Sequence, residues 1–341
     1  MDSLTRVAVD AMGGDNAPGE IVKGAAAACS GRNDIEVILV GRQEMIEAEL
    51  KKLPSVPENI RVENASEVIE MAESPVNAVR KKKDSSIVKG MNMVRRGEAD
   101  AFVSAGNSGA VLVGGQIIVG RLPGIERPPF ASLIPTREGV MLLLDCGASV
   151  DSKPSHLVQY AMMGSVYMEK VLGVKNPRVG IVNIGAEEEK GNALVKETFP
   201  LLRECKDINF TGSIEARDIP AGGCDVAVCE GFTGNVVLKM YEGTATVLLS
   251  AVKEGLMSSL RSKIGAWLIK PALKQTLKTY DASQYGGAPM LGLKGLVVKT
   301  HGASKAVEVE HSIIQCVQFR EQRINELISE KLRPAQEDKT E

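Results

Sequence analysis

The stretch RVAVDAMGGDNAP, Arg6–Pro18, sets the pattern on which the whole chain is built. Arg6–Asp10 is short and β-branched and predicts a strand. A loop with two adjacent glycines follows, and the small apolar residues after it predict a helix near Ala17–Ser30. The same order recurs downstream. Ile35–Val40 is a strand ahead of a Glu-rich helix near Gln43–Lys52. Arg61–Asn64, Ala101–Ala105, Val140–Asp145, Arg178–Ile184 and Asp225–Cys229 repeat the strand pattern between helical segments. Apolar strands separated by helices predict a parallel sheet covered on both faces, hence a doubly wound three-layer α/β/α fold. Residues 1–333 read as one α/β domain, and 334–341 as a polar tail.

Composition narrows the function. The 341 residues supply ample core, while aromatics at 4% argue against a base-stacking surface for nucleic acid. Net charge is −2, so any basic docking surface must be local. Cys29, Cys146, Cys205, Cys224, Cys229 and Cys316 show no CxxC spacing and read as buried thiols of a reducing compartment, not as a zinc site. The opening residues read as strand and loop, not as a secretory signal. The most apolar run, Ala110–Gly120, falls short of the roughly 20 residues that span a bilayer. A cytoplasmic protein, attached at most to a membrane surface, is expected.

Five polar loops each follow a predicted strand or precede a helix: Asp10–Pro18, Ser104–Gly109, Asn183–Gly191, Glu230–Asn235 and Thr300–Lys305. Strand carboxyl ends line one edge of an open parallel sheet, so these loops are expected to converge there. Glycine permits close backbone approach, and helix N-termini favour anions. Any one loop is explained by a tight turn. Together, carrying Asn107, Ser108, Asn235, His301, Ser304 and Lys305, they point to a phosphate-type anion site. No GxGxxG follows the first strand, and no GxxxxGK[ST], HExxH or GxSxG is present, so dinucleotide, P-loop, zinc-protease and serine acyl-enzyme chemistry lack support. His156 and His311 read as structural or exposed.

Two further segments stand out. Arg80-Lys81-Lys82-Lys83 precedes a helix start at Asp84-Ser85-Ser86 and reads as a solvated face, as a docking patch for an acidic partner, or, at Arg80, as a phosphate contact. Ala251–Lys278 reads as a helical hairpin with its bend at Pro271. Leu256, Leu260, Ile264, Trp267 and Leu268 share one face, and six basic residues stand against one acidic residue between Lys253 and Lys278. It is either a packed hairpin or an amphipathic tip lying in a membrane surface.

At its loops the chain resembles the bacterial acyl-acyl carrier protein:phosphate acyltransferases of phospholipid synthesis. The matching segments are Ala8–Pro18, Arg80–Ser86, Ser104–Ala110, Arg127–Thr136, Leu143–Ser149, Asn183–Gly191, Glu230–Lys239, Gly286–Gly295 and His301–Ala306, in order from end to end. The resemblance implies a fold similar to isocitrate and isopropylmalate dehydrogenases and phosphotransacetylases, a homodimer, no metal and no organic cofactor. It also implies peripheral contact with the inner face of the membrane, where a glycerol-3-phosphate acyltransferase takes the acyl phosphate.

In that reaction an oxygen of inorganic phosphate attacks the thioester of an acyl-acyl carrier protein. The protein must position phosphate, stabilise an oxyanion and assist a departing thiolate. Asn107, Ser108, Asn235, His301 and Lys305 are the catalytic candidates. Gly13, Gly14, Asp15, Gly106, Gly109, Glu187, Lys190, Gly234 and Ser304 are the substrate-binding candidates. For His301 and Lys305, helix capping and solvation are the alternative. For the glutamate run Glu187–Glu189 the alternative is a dipole-favourable helix start. Asp10, Asp15 and Asp145 read as holders of loop backbone. Rival functions are a phosphotransacetylase using short acyl-CoA, a non-catalytic scaffold for acyl carrier protein and membrane, and a metal- and NAD-dependent dehydrogenase.

Overall fold

The computed structural model describes residues 4–280 and 282–332; the expected polar tail, 334–341, lies outside them. In chain order the elements are β1 (Thr5–Asp10), α1 (Gly19–Cys29), β2 (Ile35–Gly41), α2 (Gln43–Leu50), β3 (Ile60–Asn64), α3 (Pro75–Lys81), α4 (Ser86–Arg96), β4 (Ala101–Ser104) and α5 (Ser108–Gly114). Next come β5 (Ala131–Thr136), β6 (Gly139–Leu144), α6 (Pro154–Val171), β7 (Arg178–Asn183), α7 (Ala193–Glu204), β8 (Asn209–Glu215) and β9 (Val226–Val228). The chain continues through α8 (Gly231–Met257), α9 (Leu260–Thr279), β10 (Ala288–Pro289), β11 (Leu296–Lys299), α10 (Ala306–Glu321) and α11 (Ile324–Lys331).

The strands divide between two sheets. The first unit (Met1–Ser132, Met162–Lys175 and Ser283–Glu341) carries the order β10-β11-β4-β1-β2-β3. All its neighbours are parallel except the β10–β11 pair. α1, α2 and α10 pack together, while α4 covers β1, β2 and β4. Almost every residue of β1, β2 and β4 is buried, as strands covered on both faces must be. The second unit (Leu133–Ala161 and Asn176–Ala282) carries the order β5-β6-β9-β7-β8, with β6–β9, β9–β7 and β7–β8 parallel. The strand pattern in the sequence is therefore right in kind, with the strands shared between two sheets. Which strands pair is decided by long-range packing that periodicity does not encode.

The helical hairpin differs in detail from the expectation. α8 runs unbroken from Gly231 to Met257, the turn falls at Ser258 and Ser259, and Pro271 lies inside α9. The glutamate run also lies elsewhere: Glu187–Glu189 sit in the loop before α7, whose N-cap is Asn192, with Oδ1 accepting from the Val195 N–H at 2.9 Å. Gly191 holds φ at +106°, which keeps the preceding residues out of the helix.

Gly24 shows how tightly the first unit is packed. A Cβ there would lie 2.5 Å from the Ala306 carbonyl oxygen and 2.6 Å from Val309 Cβ. Alanine in mid-helix ordinarily gains up to about 1 kcal/mol over glycine. Here the forced separation of α1 and α10 outweighs that gain, so Gly24→Ala should destabilise the protein by about 1–3 kcal/mol in urea denaturation.

Candidate functional site

In the first unit three of the five loops meet. Asp10, at the carboxyl end of β1, is buried. Its carboxylate accepts from Ser104 Oγ at 2.7 Å, at the end of β4, and from the Met12 N–H at 3.1 Å. Ser104 Oγ in turn accepts from the Gly106 N–H at 3.0 Å. Asp15 N–H donates to the Gly302 carbonyl at 2.8 Å, and Asn16 Nδ2 donates to the carbonyls of Ala303 and Ser304. A side chain on Gly13 would overlap Asp10 and the Gly106 backbone, and Gly14 has φ +98° against Gly302. The Asp10–Pro18, Ser104–Gly109 and Thr300–Lys305 loops thus form one hydrogen-bonded cluster at the strand ends.

The candidates within the cluster divide by what they already touch. Asn107 is buried and caps α5. Its Oδ1 accepts from the Ala110 N–H at 3.0 Å, and its Nδ2 donates to the carbonyls of Glu70, Met71 and Glu73. Both ends of the amide are engaged, so Asn107 positions the loop. Gly109 is packed on Pro75 with no room for a side chain. Ser108, Asp15, His301 and Lys305 are exposed. His301 Nδ1 accepts from the Ala303 N–H at 3.2 Å, which leaves Nε2 as its donor nitrogen. Lys305 precedes α10 and its backbone N–H donates to Glu308. Ser304 and Thr300 are buried, and neither hydroxyl has a hydrogen-bond partner among the described residues. A hydroxyl so placed costs about 1–3 kcal/mol, and an anionic oxygen is the partner it suits. Thr300 was not singled out in the sequence; only burial makes it notable.

The second unit repeats the device. Asp145, buried at the end of β6, accepts from the N–H groups of Ala148 at 3.0 Å and Ser149 at 2.7 Å. The Gly231 N–H donates to the Ser149 carbonyl at 2.8 Å, and a side chain on Gly234 would overlap the Asp145 carbonyl oxygen. Glu230 caps α8 by accepting from the Thr233 N–H and hydroxyl. Asn235, on the same turn, is exposed beside Gly147, and its amide is unbonded among the described residues. The buried Ser149 hydroxyl also lacks a partner among them. In the neighbouring loop, Asn183 Nδ2 donates to the Lys190 carbonyl and to Ser213 Oγ. Lys190 and Glu187 form an exposed ion pair at 2.8 Å that holds the carboxyl below and the ammonium above its ordinary range. An ionised Glu187 is a poor proton donor to a thiolate.

The basic run is divided. Lys82 is tied to the Glu73 carboxylate and the Val68 carbonyl, and Lys83 donates to the Val79 carbonyl at 3.2 Å. Arg80 and Lys81 are exposed with no ion pair among the described residues. On the hairpin, Leu260, Ile264, Trp267 and Leu268 are exposed, while Leu256, across the turn on α8, is half-buried. No helix among the described residues is long and apolar enough to cross a membrane.

Parallel sheets with glycine-rich loops at their strand ends place the chain in the fold class of the phosphotransacetylases. The EutD phosphotransacetylase from Staphylococcus aureus matches with TM-score 0.59 at 18% identity over 92% of this chain and 94% of that one. A phosphotransacetylase from Streptococcus pyogenes matches with TM-score 0.59 at 20% identity over 94% and 96%. The chain belongs to the family of fatty acid synthesis proteins, whose family model matches residues 5–327. Phosphate acyltransferase from Clostridium acetobutylicum is 47% identical over 96% of this chain and 98% of its own length. The Brevibacillus brevis phosphate acyltransferase is 48% identical over 96% and 97%.

Burial pushes the Asp10 carboxyl above its ordinary range, against the lowering effect of hydrogen bonds from Ser86, Ser104, Met12 and Gly13. The folded protein therefore holds this proton more tightly than the unfolded chain does. The group's contribution to stability falls as pH rises from about 4, the unfolded value, through the raised folded value. Asp10→Asn replaces an acceptor oxygen with a donor facing other donors. It should destabilise by about 1–3 kcal/mol, and the gap to wild type should widen on going from about pH 8 to about pH 5. Urea denaturation at both pH values measures this, and a constant gap would contradict the raised pKa.

Proposed function

We propose that this chain is a phosphate acyltransferase that moves a long-chain fatty acyl group from acyl carrier protein to inorganic phosphate. The observation that carries the reading is the near-full-length identity, 47% over 96% of the chain, with a phosphate acyltransferase. The loop clusters support it, because they offer what such a transfer needs: buried hydroxyls without partners among the described residues, set in closely packed glycine loops. A phosphate oxygen attacks the thioester carbonyl carbon, the C–S bond breaks, and the electron pair leaves on the phosphopantetheine sulfur, which takes up a proton. Phosphate is largely ionised near neutral pH, so positioning and charge stabilisation outrank a strong base.

Roles follow from what each residue leaves unengaged. In the first unit Ser304, Ser108 and Lys305 bind phosphate with Gly13, Gly14, Gly106 and Gly109 around them, and His301 donates through Nε2. Asn107 and Asp15 keep these loops in register. In the second unit, taken by itself, Asn235 offers an amide donor of the kind an oxyanion needs, Gly234 lets α8 close on the Asp145 loop, and the Glu187–Lys190 pair presents a cation to an acidic group.

Arg80 and Lys81, with Lys83 beside them, serve as the landing patch for the acidic carrier, and Lys82 holds the preceding loop. The protein acts as a homodimer without metal or organic cofactor. It is cytoplasmic and touches the inner membrane through Leu260, Ile264, Trp267 and Leu268, with Leu256 supporting the turn and lysines near the headgroups. There it passes acyl phosphate to a glycerol-3-phosphate acyltransferase.

The decisive assay incubates purified protein with palmitoyl-acyl carrier protein and phosphate, following free carrier thiol and hydroxylamine-trappable acyl phosphate together. Phosphate-dependent appearance of both is expected, and thiol release without acyl phosphate would refute the assignment. In the same assay Arg80→Glu with Lys81→Glu should raise KM for the carrier about tenfold and flatten its salt dependence, with kcat little changed. Replacing Leu260, Ile264 and Trp267 with serine should cut co-sedimentation with anionic phospholipid vesicles by tenfold or more, since each buried side chain contributes about 1.5–3 kcal/mol. Unaltered vesicle binding would remove the membrane role.

A further inference from the structure

Lys82 belongs to the basic run Arg80–Lys83 but is placed unlike its neighbours. Arg80 and Lys81 are exposed, whereas only 29% of the Lys82 side chain is. Lys82 Nζ donates to the Val68 carbonyl at 2.6 Å and pairs with the Glu73 carboxylate. Glu73 Oε1 also accepts from the Glu70 N–H at 2.8 Å. Residues 65–74, between β3 and α3, form neither helix nor strand, so their backbone groups have no ladder to join. Two side chains from outside the segment serve its carbonyls instead. Lys82 takes that of Val68, and Asn107 takes those of Glu70, Met71 and Glu73. The base of the lysine is fixed as well. The Lys82 carbonyl accepts from Ser85 Oγ at 2.7 Å, and the Asp84 carboxylate accepts from the Ser66 N–H at 2.8 Å and hydroxyl at 2.6 Å.

The braced segment leads straight to the anion loop. Asn107, which grips it through Nδ2, caps α5 through Oδ1, and Ser108 and Gly109 open that helix. Pro75, directly after the segment, presses on Gly109, where a Cβ would lie 2.4 Å from Pro75 Cγ. These two contacts set where α5 presents the Ser108 hydroxyl. Without the Lys82 ammonium, the Val68 carbonyl and the Glu73 carboxylate lose the donor that ties them together. Any shift of the segment is then passed through Asn107 to Ser108, and a misplacement of about 1 Å in a site of fixed geometry costs up to about a hundredfold. We propose that Lys82 is a positioning residue for phosphate: it braces the Val68–Glu73 segment, and through it Asn107 and Ser108, and takes no part in docking the carrier. This rests on the acyltransferase reading above and deepens it by dividing one basic run between two substrates, with Arg80 and Lys81 serving the carrier and Lys82 serving phosphate.

The test uses the full-length protein with palmitoyl-acyl carrier protein and inorganic phosphate, each varied in turn. Lys82→Met should raise KM for phosphate about tenfold and leave KM for the carrier within about twofold, the opposite split to that of the Arg80 and Lys81 reversals. Lys82→Arg, which keeps a cation able to reach the carboxylate, should recover most of the loss. Glu73→Ala should raise the phosphate KM by a similar factor, and Lys82→Met with Glu73→Ala should be little worse than either alone, because both remove one brace. A raised carrier KM in Lys82→Met with phosphate KM unchanged would make Lys82 a docking cation and overturn the proposal. A lowered kcat with both KM values unchanged would also overturn it, since that is the mark of fewer folded molecules. Isothermal titration with phosphate separates the two readings. If wild type binds phosphate but forms no acyl phosphate, the acyltransferase reading falls. The brace then still requires phosphate to bind Lys82→Met about tenfold more weakly, and equal affinity would refute it.

Discussion

Loops at the end of a parallel sheet bring backbone N–H groups into a crowded place where water cannot serve them all. Each unit resolves this with one buried carboxylate on a strand end. Asp10 gathers Ser104 and the turn after β1, and Asp145 gathers the N–H groups of Ala148 and Ser149. The other site features depend on these two residues. Ser104 passes the constraint to Gly106, and Ser149 passes it to the first residue of α8. A buried carboxylate accepting several N–H bonds is held in one orientation, and that rigidity suits loops that must meet a ligand in fixed geometry.

Glycine is the steric counterpart of those carboxylates. Gly13 and Gly234 sit where any side chain would overlap an atom of the neighbouring loop, and Gly14 adopts a left-handed φ against Gly302. These positions let backbones come as close as the carboxylates require, so the polar and the small residues of each loop answer one demand. Asn107 belongs with them. It looks like a catalytic amide in sequence, yet its four hydrogen bonds make it the fastener between α5 and the segment at Glu70–Glu73.

The exposed residues carry a different message. Ser108, His301 and Lys305 in the first unit and Asn235 in the second are exposed in strand-end loops, and buried Ser304 keeps a hydroxyl without a partner among the described residues. Folding alone would pair a buried hydroxyl such as that of Ser304. In the second unit α8 joins the Asp145 loop to an apolar surface. Its first turn holds the Asp145 loop, its outer faces expose Phe232, Met240 and Val247, and its far end turns at Ser258 and Ser259 into the lysine-bearing α9.

Much was legible in the sequence because its causes are local. Alternation of apolar strands with helices gave the α/β class, glycine after a strand marked the loops, and Ser85, Asn107 and Glu230 cap the helices that follow them. What sequence left open depends on contacts between residues far apart. The division of strands into two sheets, the pairing of β11 with β4, and the meeting of Asp15 with Gly302 are of this kind. Whether a polar side chain is engaged or available is of the same kind, and it separates Asn107 from Asn235 and Lys82 from Arg80. Residue type fixes what a group is able to donate or accept, but its partner is chosen by the packing of the whole unit, because burial and distance are properties of the folded chain alone.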